Sequence, residues 1–166
     1  MTKQFCQQCI LNIPSYKAPA GLEALAQKYE KALLTVEPIL FKFPEDYSSK
    51  KRLVKETKEL NAPILLSLKD NANVYAIFIR RQGDVEWQIK YVGQRKREWI
   101  RERIVQHLIT KDRRTGAKLE KVRESVSLNK EIGLTFIKVE PDSLRRYVEE
   151  TIIKNNKSKL EWNTHG

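Results

Sequence analysis

The sequence predicts an α+β fold: a small three-stranded antiparallel sheet flanked by helices, with a helical N-terminal extension. Two short runs rich in β-branched and aromatic residues, "VYAIFIRR" (74–81) and "EWQIKYVG" (86–93), are joined by "QGDV", whose Gly-Asp marks a hairpin. A third such run, "LTFIKVE" (134–140), follows after a helical stretch. Around these runs, apolar residues recur at helical spacing.

Residues 1–20 read as irregular, punctuated by Pro14 and Pro19. In "GLEALAQKYEKALLTVE" (21–37), Leu22, Leu25, Ala26, Tyr29, Leu33 and Leu34 form a helical stripe that Pro38 ends. "ILFKF" is a candidate short strand. "SSKKRLVKETKELN" (48–61) reads as a basic helix with Ser48 or Ser49 as N-cap. "PILLSL" suits a strand or a buried linker, and "KDNAN" a turn. After the hairpin, "KREWIRERIVQHLITK" (96–111) is an amphipathic helix with Ile100, Ile104, Val105 and Leu108 as its stripe. Trp99, Arg103 and His107 follow its edge, four residues apart. "AKLEKVRESVSLN" predicts a further helix, and Pro141 and Asp142 open the last, "SLRRYVEETIIKNN".

At 166 residues the chain suffices for one ordinary core, and a second full domain would be cramped. Residues 1–72 are therefore expected to extend a core spanning 73–166 within one compact unit. The formal net charge of +11, from 32 Lys and Arg against 21 Asp and Glu, points to a polyanion partner, nucleic acid above all. No apolar run is long enough to span a bilayer, and no secretory signal is visible, so a cytoplasmic protein is expected. Cys6 and Cys9 form a C-x-x-C, but no second cysteine pair accompanies them; a structural zinc needs about four ligands, so free thiols are expected.

A hairpin centred near Gly83 would pair residue 75 with 91, 77 with 89 and 79 with 87. Tyr75, Ile77 and Ile79 would then share a face with Tyr91, Ile89 and Trp87. A one-residue slip would separate the tyrosines. Gly93 reads as the turn after the second strand.

From residue 73 the order strand, strand, helix, strand, helix carries Tyr75, Tyr91, Arg103, His107, Glu149 and Asn163. "NVY" (73–75), "YVG" (91–93), "RIVQH" (103–107) and "VEETIIKNNKSKLEWN" (148–163) together resemble the GIY-YIG nuclease family. Those segments stand where the family has its GIY and YIG triplets, its Arg-x-x-x-His helix and its closing glutamate and asparagine. Asn73 replaces the first glycine of that pattern. Arg101 is a rival to Arg103, which alone has a histidine four residues on. Glu150 is a rival to Glu149, which keeps the spacing to Ile153 and Lys154.

The resemblance implies a metal-dependent DNA endonuclease using Mg²⁺, with Mn²⁺ as a substitute. Mg²⁺ takes one or two carboxylates together with waters and substrate oxygens, and Glu149 would be that carboxylate. Arg103 would offer a donor fork to a phosphate oxygen. Tyr75 would help deprotonate the attacking water, with Arg103, Lys90 and the metal as sources of positive charge. His107 would hold or deprotonate Tyr75, Tyr91 would position substrate or water, and Asn163 would brace the site. Lys90, Gln94, Arg95 and Lys96, with Lys111, Arg113 and Arg114 of the basic loop "TKDRRTGAK" (110–118), are candidate DNA contacts.

Each residue also has a plainer reading. Tyrosines in apolar strands are usually core, Arg103 and His107 could edge a solvated helix, Glu149 could be surface charge, and Asn163 a turn. The joint pattern favours the site. Within the family, stand-alone restriction enzymes are closest in build; cutting both strands of double-stranded DNA with one site per chain then suggests a homodimer on a near-palindromic site. A structure-selective repair or branched-DNA nuclease, and a degenerate module that only binds nucleic acid, are the alternatives.

Overall fold

The computed structural model describes residues 19–45, 50–110 and 117–163. Its architecture is α+β, an antiparallel sheet with helices on both faces. Helix α1 (Ala20–Leu34) leads to strand β1 (Ile39–Phe41), then α2 (Lys50–Leu60) and α3 (Ala62–Ser67). The hairpin is β2 (Val74–Arg81) and β3 (Gln88–Gln94). A single helical turn (Arg97–Trp99) opens α4 (Ile100–Leu108), followed by α5 (Leu119–Ser127), β4 (Lys130–Ile137) and, after a short turn, α6 (Arg145–Asn155).

The sheet has four strands in the order β1-β4-β2-β3, not three. The added strand comes from the N-terminal extension: Ile39, Leu40 and Phe41 pair with Leu134, Gly133 and Ile132. The buried side chain of Asn61 holds this strand's end, donating to Lys42 O at 2.7 Å and accepting from Lys42 N at 2.9 Å. "PILLSL" forms neither strand nor linker. Pro63 sits in the first turn of α3, where its missing N–H costs nothing, and Leu65 is buried. β4 starts at Lys130, four residues earlier than the sequence suggests, because Asn129 at φ 56° turns the chain directly out of α5.

Both faces of the sheet are covered, which explains why β2 is an almost unbroken apolar run. On one face Tyr75, Ile77 and Ile79 pack with Ile132 and Leu134 against Ile100, Ile104 and Leu108 of α4. On the other, Val74, Ala76, Phe78 and Val92 meet Leu33 of α1 and Val148 and Ile152 of α6.

The hairpin register differs from expectation by two residues: Tyr75 pairs with Gly93 and Ile77 with Tyr91. A bulge then shifts the pairing, so Phe78 meets Ile89 and Ile79 meets Gln88. Ile89 and Trp87 therefore pack on the opposite face from Tyr75. Trp87 is drawn there by its surroundings: its Nε1 donates to Glu37 at 2.8 Å, and Arg80 stacks on its ring at 4.2 Å. Gly133 beneath it leaves the space, since a Cβ there would lie 2.8 Å from the indole. Gly83, at φ 91°, supplies the left-handed turn residue. No helix among the described residues is long and apolar enough to cross a membrane. Cys6 and Cys9 lie outside the described residues.

Candidate active site

A two-residue slip keeps the parity of a strand, so Tyr75 and Tyr91 still face the same side. They are diagonal neighbours with ring centroids 6.1 Å apart. Gly93 is not a turn residue. It lies within β3 opposite Tyr75, and a Cβ there would sit 2.6 Å from the Tyr75 hydroxyl and 2.7 Å from the Tyr91 ring. The glycine is required by the close approach of two phenols.

His107 reaches the same point from α4 and is fully buried. Its Nε2 lies 2.7 Å from the Tyr75 hydroxyl, and its Nδ1 accepts the main-chain N–H of Lys118 at 3.0 Å. A nitrogen that accepts an N–H carries no proton itself. Burial, then the nearby Arg103 and Lys118 charges, push the imidazole well below its ordinary pKa, so the ring is neutral. The one ring proton is therefore on Nε2, which donates to the Tyr75 oxygen. His107 holds Tyr75 and has no free basic nitrogen with which to deprotonate it.

Arg103, half-buried one helical turn before His107, faces both tyrosines. Burial pushes Tyr75 well above the ordinary phenol range, and Tyr91 adds to this; the charge and hydrogen bonding of Arg103 act against it. Tyr91 is raised by burial and by the Glu149 charge, again opposed by Arg103. Both phenols are thus protonated near neutral pH in the protein alone. Arg101 is exposed.

Glu149 comes from α6 on the other layer, and its charge reaches Tyr91 because β3 is an edge strand. It is half-buried, whereas Glu150 is exposed. Burial and then Glu150 raise its pKa to about 7, opposed by hydrogen bonds from Gln94 and by Arg146. Gln94 also accepts from Arg145 Nε at 2.9 Å, so this candidate DNA contact is engaged within the protein. Asn163 clasps the edge of β3: its amide donates to Val92 O and its carbonyl oxygen accepts from Val92 N, each at 2.8 Å. Two residues of the YVG segment are thereby fixed, one by Asn163 and one by the packing around Gly93.

Tyr75, Tyr91, Arg103, His107 and Glu149 are thus brought together, with Asn163 bracing the strand behind them. Lys90 is not. It is buried in the other layer, beside Leu34 and Phe78, with its ammonium 2.8 Å from Glu161. Arg95 and Lys96 are exposed just past β3. Lys111, Arg113 and Arg114 lie outside the described residues. Among the described residues no three His, Cys, Asp or Glu side chains converge on a metal position. Lys118, at the end of the basic loop, is the site residue that sequence reasoning did not single out. The only signal was its place in that loop, because nothing local couples it to His107, eleven residues earlier.

The chain matches no protein-family model, no curated protein and no solved structure.

Proposed function

We propose that the protein is a metal-dependent DNA endonuclease of the GIY-YIG type, cutting double-stranded DNA at specific sites. The observation that supports this best is the meeting of Tyr75, Tyr91 and Arg103 at the edge of one sheet, with a half-buried Glu149 acting on Tyr91 from the other side. A packing cluster does not require a guanidinium and a carboxylate around two phenols. Phosphodiester hydrolysis does: it needs charge neutralisation at phosphorus, a held water and an acceptor for its proton.

In this reading Arg103 binds a non-bridging phosphate oxygen and offsets the charge that grows there. The Tyr91 hydroxyl orients the water or the phosphate. Water attacks phosphorus, the bond from phosphorus to the leaving oxygen breaks, and that oxygen ends as a hydroxyl. Tyr75 first releases its own proton to solvent; as a phenolate held by the His107 Nε2–H and by Arg103 it takes the proton of the attacking water, and a proton from solvent completes the leaving hydroxyl. Glu149 suits Mg²⁺, which is commonly held by one carboxylate with waters and phosphate oxygens, and a carboxyl pushed to about 7 by burial is one a cation would relieve. When bound, the ion would supply Lewis-acid stabilisation and the positive field that a buried phenolate needs. The +11 charge favours DNA as the polyanion. A homodimer would supply one such site for each strand.

Incubation with supercoiled plasmid and Mg²⁺, followed by sequencing of the fragment ends, tests the reading. Discrete fragments with one recurring end sequence are expected. Cleavage confined to branched substrates would replace the restriction reading with a repair one, and binding without cleavage at any Mg²⁺ or Mn²⁺ concentration would leave a nucleic-acid-binding module.

A further inference from the structure

We propose that Lys118 is a second phosphate-binding cation of this site, closing with Arg103 on the oxygens of one DNA phosphate. The proposal rests on the nuclease reading for the identity of the anion. Its physical basis is the placement of the residue. The Lys118 main-chain N–H is fixed on His107 Nδ1 at 3.0 Å, so the origin of the side chain is locked to the floor of the site. From there the ammonium lies over the Tyr91 ring, 5.5 Å from its centroid, within the range of a cation–π contact. The same ring is 4.9 Å from His107 and 6.1 Å from Tyr75. Arg103 acts electrostatically on Lys118, His107 and both tyrosines, so the two cations share one small space.

Neither cation has a carboxylate partner among the described residues. The most deeply set cations elsewhere in this fold are paired: Arg80 with Glu131, Lys90 with Glu161 and Arg145 with Asp142. Desolvating a cation without a counter-charge is unfavourable, and two beside each other more so. Burial, Lys121 and Arg103 push the Lys118 ammonium down from its ordinary pKa, which is the direction that a bound anion reverses. A phosphodiester fits, because it brings negative oxygens for both cations and needs no protein carboxylate on that side. Glu149 acts on Tyr91 and is hydrogen-bonded by Gln94 rather than by either of these cations.

Lys118→Met keeps the peptide N–H and most of the aliphatic stem but removes the charge. Two measurements decide: DNA affinity without divalent metal across a salt series, and the initial cleavage rate with Mg²⁺ at limiting DNA. In Lys118→Met the log–log salt slope should shrink by about one, the loss of one phosphate contact. The cleavage rate should fall at least ten-fold, and Lys118→Arg should restore most of the slope. A Lys118→Met protein with wild-type slope and rate overturns the proposal. So does a lost rate with unchanged slope and no rescue by arginine, which would leave the position a merely structural one. If the wild-type protein does not cleave but Lys118→Met still loses one unit of slope, the nuclease reading falls and the phosphate contact stands.

Discussion

Glu149 is where stability and the proposed activity pull apart. Its carboxyl is raised to about 7, against an unfolded value near 4.5. Between those values the folded protein keeps a proton that the unfolded chain has released. Stability from this group therefore falls as pH rises from about 4.5 to 7 and stays low above that. Glu149→Gln should melt higher than the wild type at pH 8, with the difference vanishing near pH 4.5; thermal melts at several pH values check this. Equal melting at every pH would mean that the carboxylate is well solvated. Gly93 gives a second prediction. Adding a Cβ 2.6 Å from the Tyr75 hydroxyl should cost about 1–3 kcal/mol by overpacking and should turn the tyrosine away from His107. Denaturant unfolding and the near-ultraviolet tyrosine signal of Gly93→Ala would register both. Sequence order proposed Tyr75, Tyr91, Arg103 and His107, which the fold places side by side, but misread Gly93, because a glycine's local context does not reveal a phenol lying across it from another strand.

At the scale of elements, the tyrosines kept a common face although their expected cross-strand pairing was wrong by two residues. A two-residue shift preserves the face, whereas the bulge past Ile77 reverses it for Ile89 and Trp87. The alternation of residue types could not disclose that bulge, since β2 is apolar on both faces. Arg103 could be chosen over Arg101 from helical spacing alone, because the Arg-x-x-x-His step is a property of one helix. Glu149 needed the packing of α6 against an edge strand. Asn73, which replaces a glycine of the family pattern, needs no glycine conformation and acts as a clamp. Its side chain donates to Val139 O at 2.8 Å and to Asp142 at 2.9 Å, and accepts from Val139 N at 2.7 Å. It thereby joins the start of β2 to the chain leaving β4. Asn73→Ala would strand the buried Val139 amide and carbonyl, costing about 1–3 kcal/mol for each unmet group. Urea denaturation would measure the loss. A variant within about 0.5 kcal/mol of the wild type would show that other groups or water take over the clamp.

For the whole molecule, the N-terminal extension is part of the scaffold: β1 completes the sheet, and α1 packs on the same face as α6, behind the site. That role was invisible in sequence, where three residues of β1 carry too little pattern to announce a strand pairing some 90 positions away. What the molecule brings together is two phenols, a guanidinium, a neutral histidine and a carboxylate, on a chain of strongly positive charge. The central claim is that these groups form one phosphodiester-cleaving site with Glu149 as its metal ligand. The most direct measurement compares wild type and Glu149→Ala for both DNA binding and Mg²⁺-dependent cleavage. The account predicts that cleavage falls by at least about 10²–10³-fold while DNA affinity without metal is largely unchanged. Full cleavage by Glu149→Ala would contradict it.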